Sequence, residues 1–210
     1  MGEASGRGGA SKWYAVHVAQ GREQATADRC RKLVDPALLE DCFVPRYERY
    51  QKRGGAWVLE TDVLFREYFI VATRDVRALD KALSRLSLRA ELAPAGASGG
   101  AASGRGAGRA GTQAGGFASL DAREQEWLQS TLDDAHVLRA SEGRIEGGTL
   151  RVERGPLRGR EAQIRKIDRH KRMAYVDVGA NAAAAGTASG GSAPGGGFTL
   201  RAALNVPHKD

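Results

Sequence analysis

The sequence predicts an α+β fold: an N-terminal α/β sandwich, with helices on a mainly antiparallel sheet, followed by a small all-β barrel. Three observations lead there. Residues 12–140 mix strand-like and helical segments in the order strand, helix, three strands, helix, then a further helix after a long loop. Residues 149–178 alternate short strand-like runs with glycine-marked turns and carry no helical stripe, the pattern of a small barrel. Finally, 20 of the 28 glycines fall in three tracts, 1–11, 93–116 and 179–197. These tracts total 54 residues, so the other 156 have ordinary globular composition, enough for two compact domains. The expected organisation is a disordered tail over 1–11, a first domain over 12–140, a linker over 141–147 and a barrel over 148–210.

Taken in order, Trp13-Tyr14-Ala15-Val16-His17-Val18 is aromatic and β-branched and predicts the first strand. Over 22–34, Ala27, Cys30 and Val34 recur at helical spacing, and Asp35-Pro36 ends the helix because proline pushes its predecessor out of the α region. Runs 42–51 and 56–65 predict a hairpin whose turn uses the positive φ that Gly54-Gly55 adopts cheaply. Glu67–Thr73 is expected to be the most buried strand. Asp75 can cap the next helix, where Val76, Leu79, Leu83 and Leu86 form one stripe. A short strand is expected around 88–92. Segment 93–116, with 9 Gly, 8 Ala and no aromatic residue in 24, cannot bury enough apolar surface to offset its ordering entropy and is expected to be a flexible insertion. Structure is expected to resume at Leu120, with Asp121 and Glu124 as a capping box and Trp127, Leu128, Thr131 and Leu132 on one helical face. The tract 179–197, with 7 Gly and 7 Ala in 19 residues, is expected to be a loop in the barrel.

Charge separates the halves. Residues 1–147 carry 21 basic and 20 acidic side chains, whereas 148–210 carry 11 and 5. The excess is concentrated at 151–172, where it is either the electrostatic footprint of a polyanion, usually nucleic acid, or a solvated face. The longest aliphatic-aromatic run, Phe69-Ile70-Val71-Ala72, is far short of the ~20 apolar residues of a membrane span, and no apolar run near Met1 suggests a secretory signal. Cys30 and Cys42 lack a CxxC partner, so neither a disulfide framework nor a zinc site is expected, and a reduced, cytoplasmic setting follows. His17, His136, His170 and His208 show no metal-ligand spacing, neither cysteine has an activating histidine beside it in sequence, and the glycine tracts lack the Lys-Ser or Lys-Thr of a phosphate loop. No catalytic residue, metal or cofactor is expected.

The most informative stretch runs from Gly155-Pro156-Leu157 to Asp168-Arg169-His170-Lys171-Arg172. A glycine-proline turn precedes a strand and a tip in which five of the eight residues 165–172 are Lys or Arg. Several guanidinium groups held on a rigid turn suit phosphate oxygens, which Arg grips bidentately. A solvated hairpin tip is the alternative.

This stretch, over 151–178, resembles the KOW motif of NusG-type transcription elongation factors. Trp13-Tyr14-Ala15-Val16, Gly21 and Glu23 resemble the start of that family's N-terminal domain, NGN, and Val63–Val71 matches the position of its buried strand. The Gly155–Arg172 run looks like the specialised LoaP branch, whose members act as processive antiterminators. Three departures accompany the likeness. Arg66-Glu67 stands where members carry proline-glycine, Ala162 replaces the central KOW glycine and is expected to relax close packing there, and the 179–197 tract replaces a late Arg-Thr-Pro-type segment. The last departure removes the sequence basis for contacts with Rho or a small-subunit ribosomal protein and favours a paralogue over the general factor.

The resemblance implies a monomeric, non-enzymatic cytoplasmic protein with bacterial RNA polymerase and nascent RNA as partners. Tyr14, Phe43, Phe65, Tyr68 and Phe69 are then candidates to dock the clamp helices of the largest polymerase subunit, each with an ordinary core position as its alternative; Trp13 and Trp57 are expected to be packing residues. Arg158, Arg160, Arg165, Lys166, Arg169, Lys171 and Arg172 are the candidate phosphate contacts to a leader hairpin, with His170 available for stacking. Lys52 and Arg53 form an exposed turn that can add a second contact.

Overall fold

A computed structural model describes residues 11–86, 117–179 and 198–207, and the main chain of 112–113. Residues 1–10, the expected strand at 88–92, most of the 93–116 and 179–197 tracts, and His208 lie outside the described residues. The described chain combines helices with largely antiparallel sheets. In order it forms β1 (Lys12–His17), α1 (Glu23–Leu33), β2 (Asp41–Phe43), β3 (Arg46–Arg53), β4 (Ala56–Val63), β5 (Tyr68–Thr73), α2 (Val76–Arg85), β6 (Thr112–Gln113), β7 (Phe117–Ser119) and α3 (Ala122–Thr131). Then come β8 (Val137–Leu138), β9 (Ser141–Glu146), β10 (Thr149–Arg154), a 3-10 turn (Glu161–Gln163), β11 (Ile164–Asp168), β12 (Met173–Val178) and β13 (Phe198–Asn205).

The first sheet has the order β2-β5-β1-β7-β6. Strand alternation divides its side chains between two layers. Tyr14, Val16, Phe69 and Val71 face α1 and α2, packing with Ala27, Cys30, Leu79 and Leu83. Trp13, Ala15, Ile70 and Phe43 face the other way, against Trp127 and Leu128 of α3. Asp75 caps α2 by accepting from the N–H groups of Arg77 and Ala78, and Asp121 and Glu124 close a reciprocal capping box on α3.

The 42–51 run is divided at Pro45, which has no N–H to donate to a ladder. Before it, β2 pairs with β5; after it, β3 pairs with β4 and, in parallel, with β8. Structure also resumes before Leu120, because Phe117–Ser119 pairs with β1 and the Phe117 ring is fully buried. Residues 141–146, expected as a linker, are a strand. β9 pairs with β10 across Gly147-Gly148, both at positive φ, the same paired-glycine turn that joins β3 to β4.

The second five-stranded sheet runs β10-β9-β13-β12-β11, antiparallel except where β13 meets β9. Its apolar side buries Val152, Leu157, Ala174, Val176, Leu200, Ala202 and Leu204. These belong to the same hydrophobic cluster as Trp13, Phe43, Phe65 and Trp127, so one core crosses the boundary between the halves. Ala162, the residue that stands where the resemblance expects a central glycine, is exposed on the 3-10 turn. Among the described residues no helix is long and apolar enough to cross a membrane.

Candidate nucleic-acid interface

The basic turn joins β11 to β12. Asp168 shapes it by accepting from the Lys171 N–H at 3.0 Å, and Arg172 adopts a left-handed φ of 50°. Arg172 also accepts, through its carbonyl, from the Leu204 N–H at 3.0 Å, tying the turn to β13. The turn is therefore a fixed platform, and Arg169, His170 and Lys171 stand exposed on it.

The eight candidate RNA contacts do not form one equivalent set. Arg158 and Lys166 are exposed, Lys166 with its ammonium 5.8 Å from the ring of Tyr175, its cross-strand neighbour. Lys171 keeps a loose 3.9 Å ion pair with Asp168. Arg165 sits 3.9 Å from Asp177, whose carboxylate in turn accepts from Thr199. Arg160 turns toward α3, donating to Ser130 Oγ at 2.9 Å with its guanidinium 5.9 Å from the Trp127 ring, and is a packing cation as much as a surface one.

Arg172 reaches into the N-terminal half. Its guanidinium lies 4.7 Å from the Trp57 ring and 5.3 Å from that of Tyr50. The β3–β4 register sets this up. Lys52 lies opposite Trp57 and Tyr50 opposite Leu59, and residues two apart share a face, so all four side chains project to one side. Burial, with Glu142 adding, holds the Tyr50 phenol above its usual range, so it is neutral here. Lys52 is exposed, whereas Arg53 is paired to Glu60. Trp57, expected as a packing residue, thus borders the basic turn. The signal was the hairpin's two-residue period, which puts both aromatics on the lysine-bearing face.

The five candidate polymerase contacts are split by the same alternation. Tyr14 and Phe69 belong to the helix-facing core. Phe43 is covered by His136, stacked at 3.7 Å, and by Trp13 edge-on at 5.0 Å. Phe65 meets Phe198 of β13 edge-on at 5.0 Å, so the second sheet covers it. Tyr68 is half-buried beside His17, with ring centroids 5.0 Å apart. These five residues do not form one open face.

Other chemistry-bearing groups are held structurally. Cys30 and Cys42, distant in sequence, meet between α1 and β2. Both are buried, Cys42 Sγ lies 3.5 Å from the Ala27 carbonyl, and the neighbouring Cys30 thiol together with burial pushes the Cys42 thiol far up. No group of three or more His, Cys, Asp or Glu able to hold a metal is found among the described residues. Comparison of the chain with protein-family models and with curated proteins finds no match.

Proposed function

We propose that this protein is a transcription elongation or antitermination factor that binds nascent RNA through its basic C-terminal region and RNA polymerase through its N-terminal half, and promotes readthrough of terminators in particular operons. The observation that carries this reading is the β11–β12 turn, where Arg169, His170 and Lys171 are exposed on a hydrogen-bonded loop with Lys166 on the adjoining strand. Cations on a rigid turn contact phosphates without side-chain readout of base identity, so they can hold an RNA backbone whatever its sequence. The mechanism is bridging. A factor with higher affinity for the closed, elongating polymerase shifts its population by that differential affinity and by no more.

One observation favours a second reading, an RNA-binding module with no polymerase contact. Four of the five candidate docking aromatics are buried in the two cores or beneath the second sheet. In vitro transcription through an intrinsic terminator separates the two. Readthrough that needs an upstream leader, and disappears in Lys166→Ala/Arg169→Ala, is the expected result. Readthrough without any leader indicates a general elongation factor. No effect on polymerase, with RNA binding retained, leaves the module reading.

A further inference from the structure

The basic turn and the β3–β4 hairpin make one composite surface, although they are more than a hundred residues apart. Tyr50, Lys52, Trp57 and Leu59 share one hairpin face, and Arg172 packs on its two aromatic rings at 5.3 and 4.7 Å. Neither ring is fully buried, and Leu59 beside them is 48% exposed. Lys52 lies on the hairpin side, and Arg169, His170 and Lys171 on the turn side. The acidic groups near Tyr50 are already engaged: Glu142 with Arg154, and Glu48 with Arg139 and the Ala140 N–H.

A paired duplex has no use for such aromatics, because its bases are already stacked on one another and its backbone asks only for cations. An unpaired base does use them. Single-strand binding surfaces combine a cationic track for the backbone with aromatic rings or guanidinium planes on which bases stack. We propose that Tyr50, Trp57 and Arg172 form a stacking platform for an unpaired RNA base, with Lys52, Arg169 and Lys171 holding the flanking phosphates. The site would therefore take a loop or single-stranded segment of the transcript in preference to a helical stem. This inference rests on the RNA-binding reading above and names the form of RNA that the same surface selects.

The protein carries its own probe. Of the tryptophans, Trp13 and Trp127 are buried, whereas Trp57 is half-exposed. The 210-residue chain is titrated with a single-stranded oligoadenylate and with a blunt RNA duplex of equal nucleotide count. The single strand is expected to quench tryptophan emission and to bind more tightly. Trp57→Phe should abolish most of the quench while preserving affinity within a few-fold. Trp57→Leu should weaken single-strand binding about tenfold and leave duplex binding unchanged. Arg169→Ala should weaken both, and its unchanged thermal transition would show that the fold is intact. Equal affinity for the two RNAs, with Trp57→Leu affecting neither, would overturn the platform and leave the RNA-binding reading standing. Failure of both RNAs to bind at low salt would overturn both.

Discussion

Two glycines of the Gly155–Gly159 turn look equivalent in sequence and are not. Both have positive φ, 96° at Gly155 and 75° at Gly159. A Cβ on Gly159 would meet nothing within 4 Å, whereas one on Gly155 would lie 2.7 Å from Ser141 Cα and 2.8 Å from the Ala140 carbonyl. Ser141 is itself fully buried, and its hydroxyl accepts from the Leu157 N–H, so the turn is pressed onto the start of β9. Gly159→Ala should cost about 1–2 kcal/mol, the left-handed penalty alone. Gly155→Ala should cost about 2–5 kcal/mol, because a main-chain clash adds to that penalty. Urea denaturation of the two variants measures the difference, and equal costs would remove the close approach as the reason for glycine. The converse case is Glu67, a non-glycine residue at φ 67°. Its N–H donates to the buried Glu23 carboxylate at 2.8 Å and its carbonyl accepts from the Val18 N–H at 2.8 Å. Those two bonds hold the left-handed conformation that the side chain disfavours. No local pattern at Glu67 shows these partners, one of which lies 44 residues away.

Elements were legible where a local signal exists. The capping aspartates Asp75 and Asp121, the apolar pair Leu79 and Leu83, and the Gly54-Gly55 turn all act within a few residues, and each stands where periodicity placed it. β7 and β9 were not legible as such, for different reasons. Phe117–Ser119 is a three-residue strand whose one large apolar residue sits beside a glycine tract, so composition concealed it. Ser141–Glu146 contains only one large apolar residue, Ile145, and reads as polar linker until the Gly147-Gly148 turn pairs it with β10. The short 3-10 turn after Gly159 is held by a charge. Hydrogen bonds from its own N–H and that of Val152 hold the Glu161 carboxyl below its ordinary range, burial opposing, with the Gly159 N–H and Arg151 adding. A carboxyl depressed in the folded state stabilises above its unfolded value, near 4.3, and that stabilisation fades as pH falls through the folded value. Glu161→Gln should therefore lower stability by about 1 kcal/mol at neutral pH. The gap to the parent protein should stay constant down to roughly pH 5 and close below about pH 4. Thermal melts across that range test it; a gap that widens on acidification would reverse the sign and refute the assignment.

At the scale of the whole molecule, the sequence divides the chain into two domains, but the packing joins them. No local pattern could reveal this, since the contacts that join the halves span long separations: Phe65 with Phe198, Trp127 with Gln163, and Arg172 with Tyr50 and Trp57. The same joint decides which candidate surfaces are open. It leaves the cationic turn exposed while covering Phe65, so polymerase docking through Phe65 would require the second sheet to move away. How firmly the halves are joined is therefore the functional question, and Phe198 is where to ask it. It is 3% exposed, at the start of β13 and against Phe65. Phe198→Ala should cost about 3–5 kcal/mol, as truncating a buried aromatic generally does. If the halves share one cooperative core, native-state hydrogen exchange should show the slowest amides of β1 and β5 losing protection together with those of β12, by the same free energy. If the halves open independently, only β12 should lose protection and β1 and β5 should keep theirs. That second outcome would mean that Phe65 is uncovered in a sub-global opening, at a cost that a polymerase contact need only match.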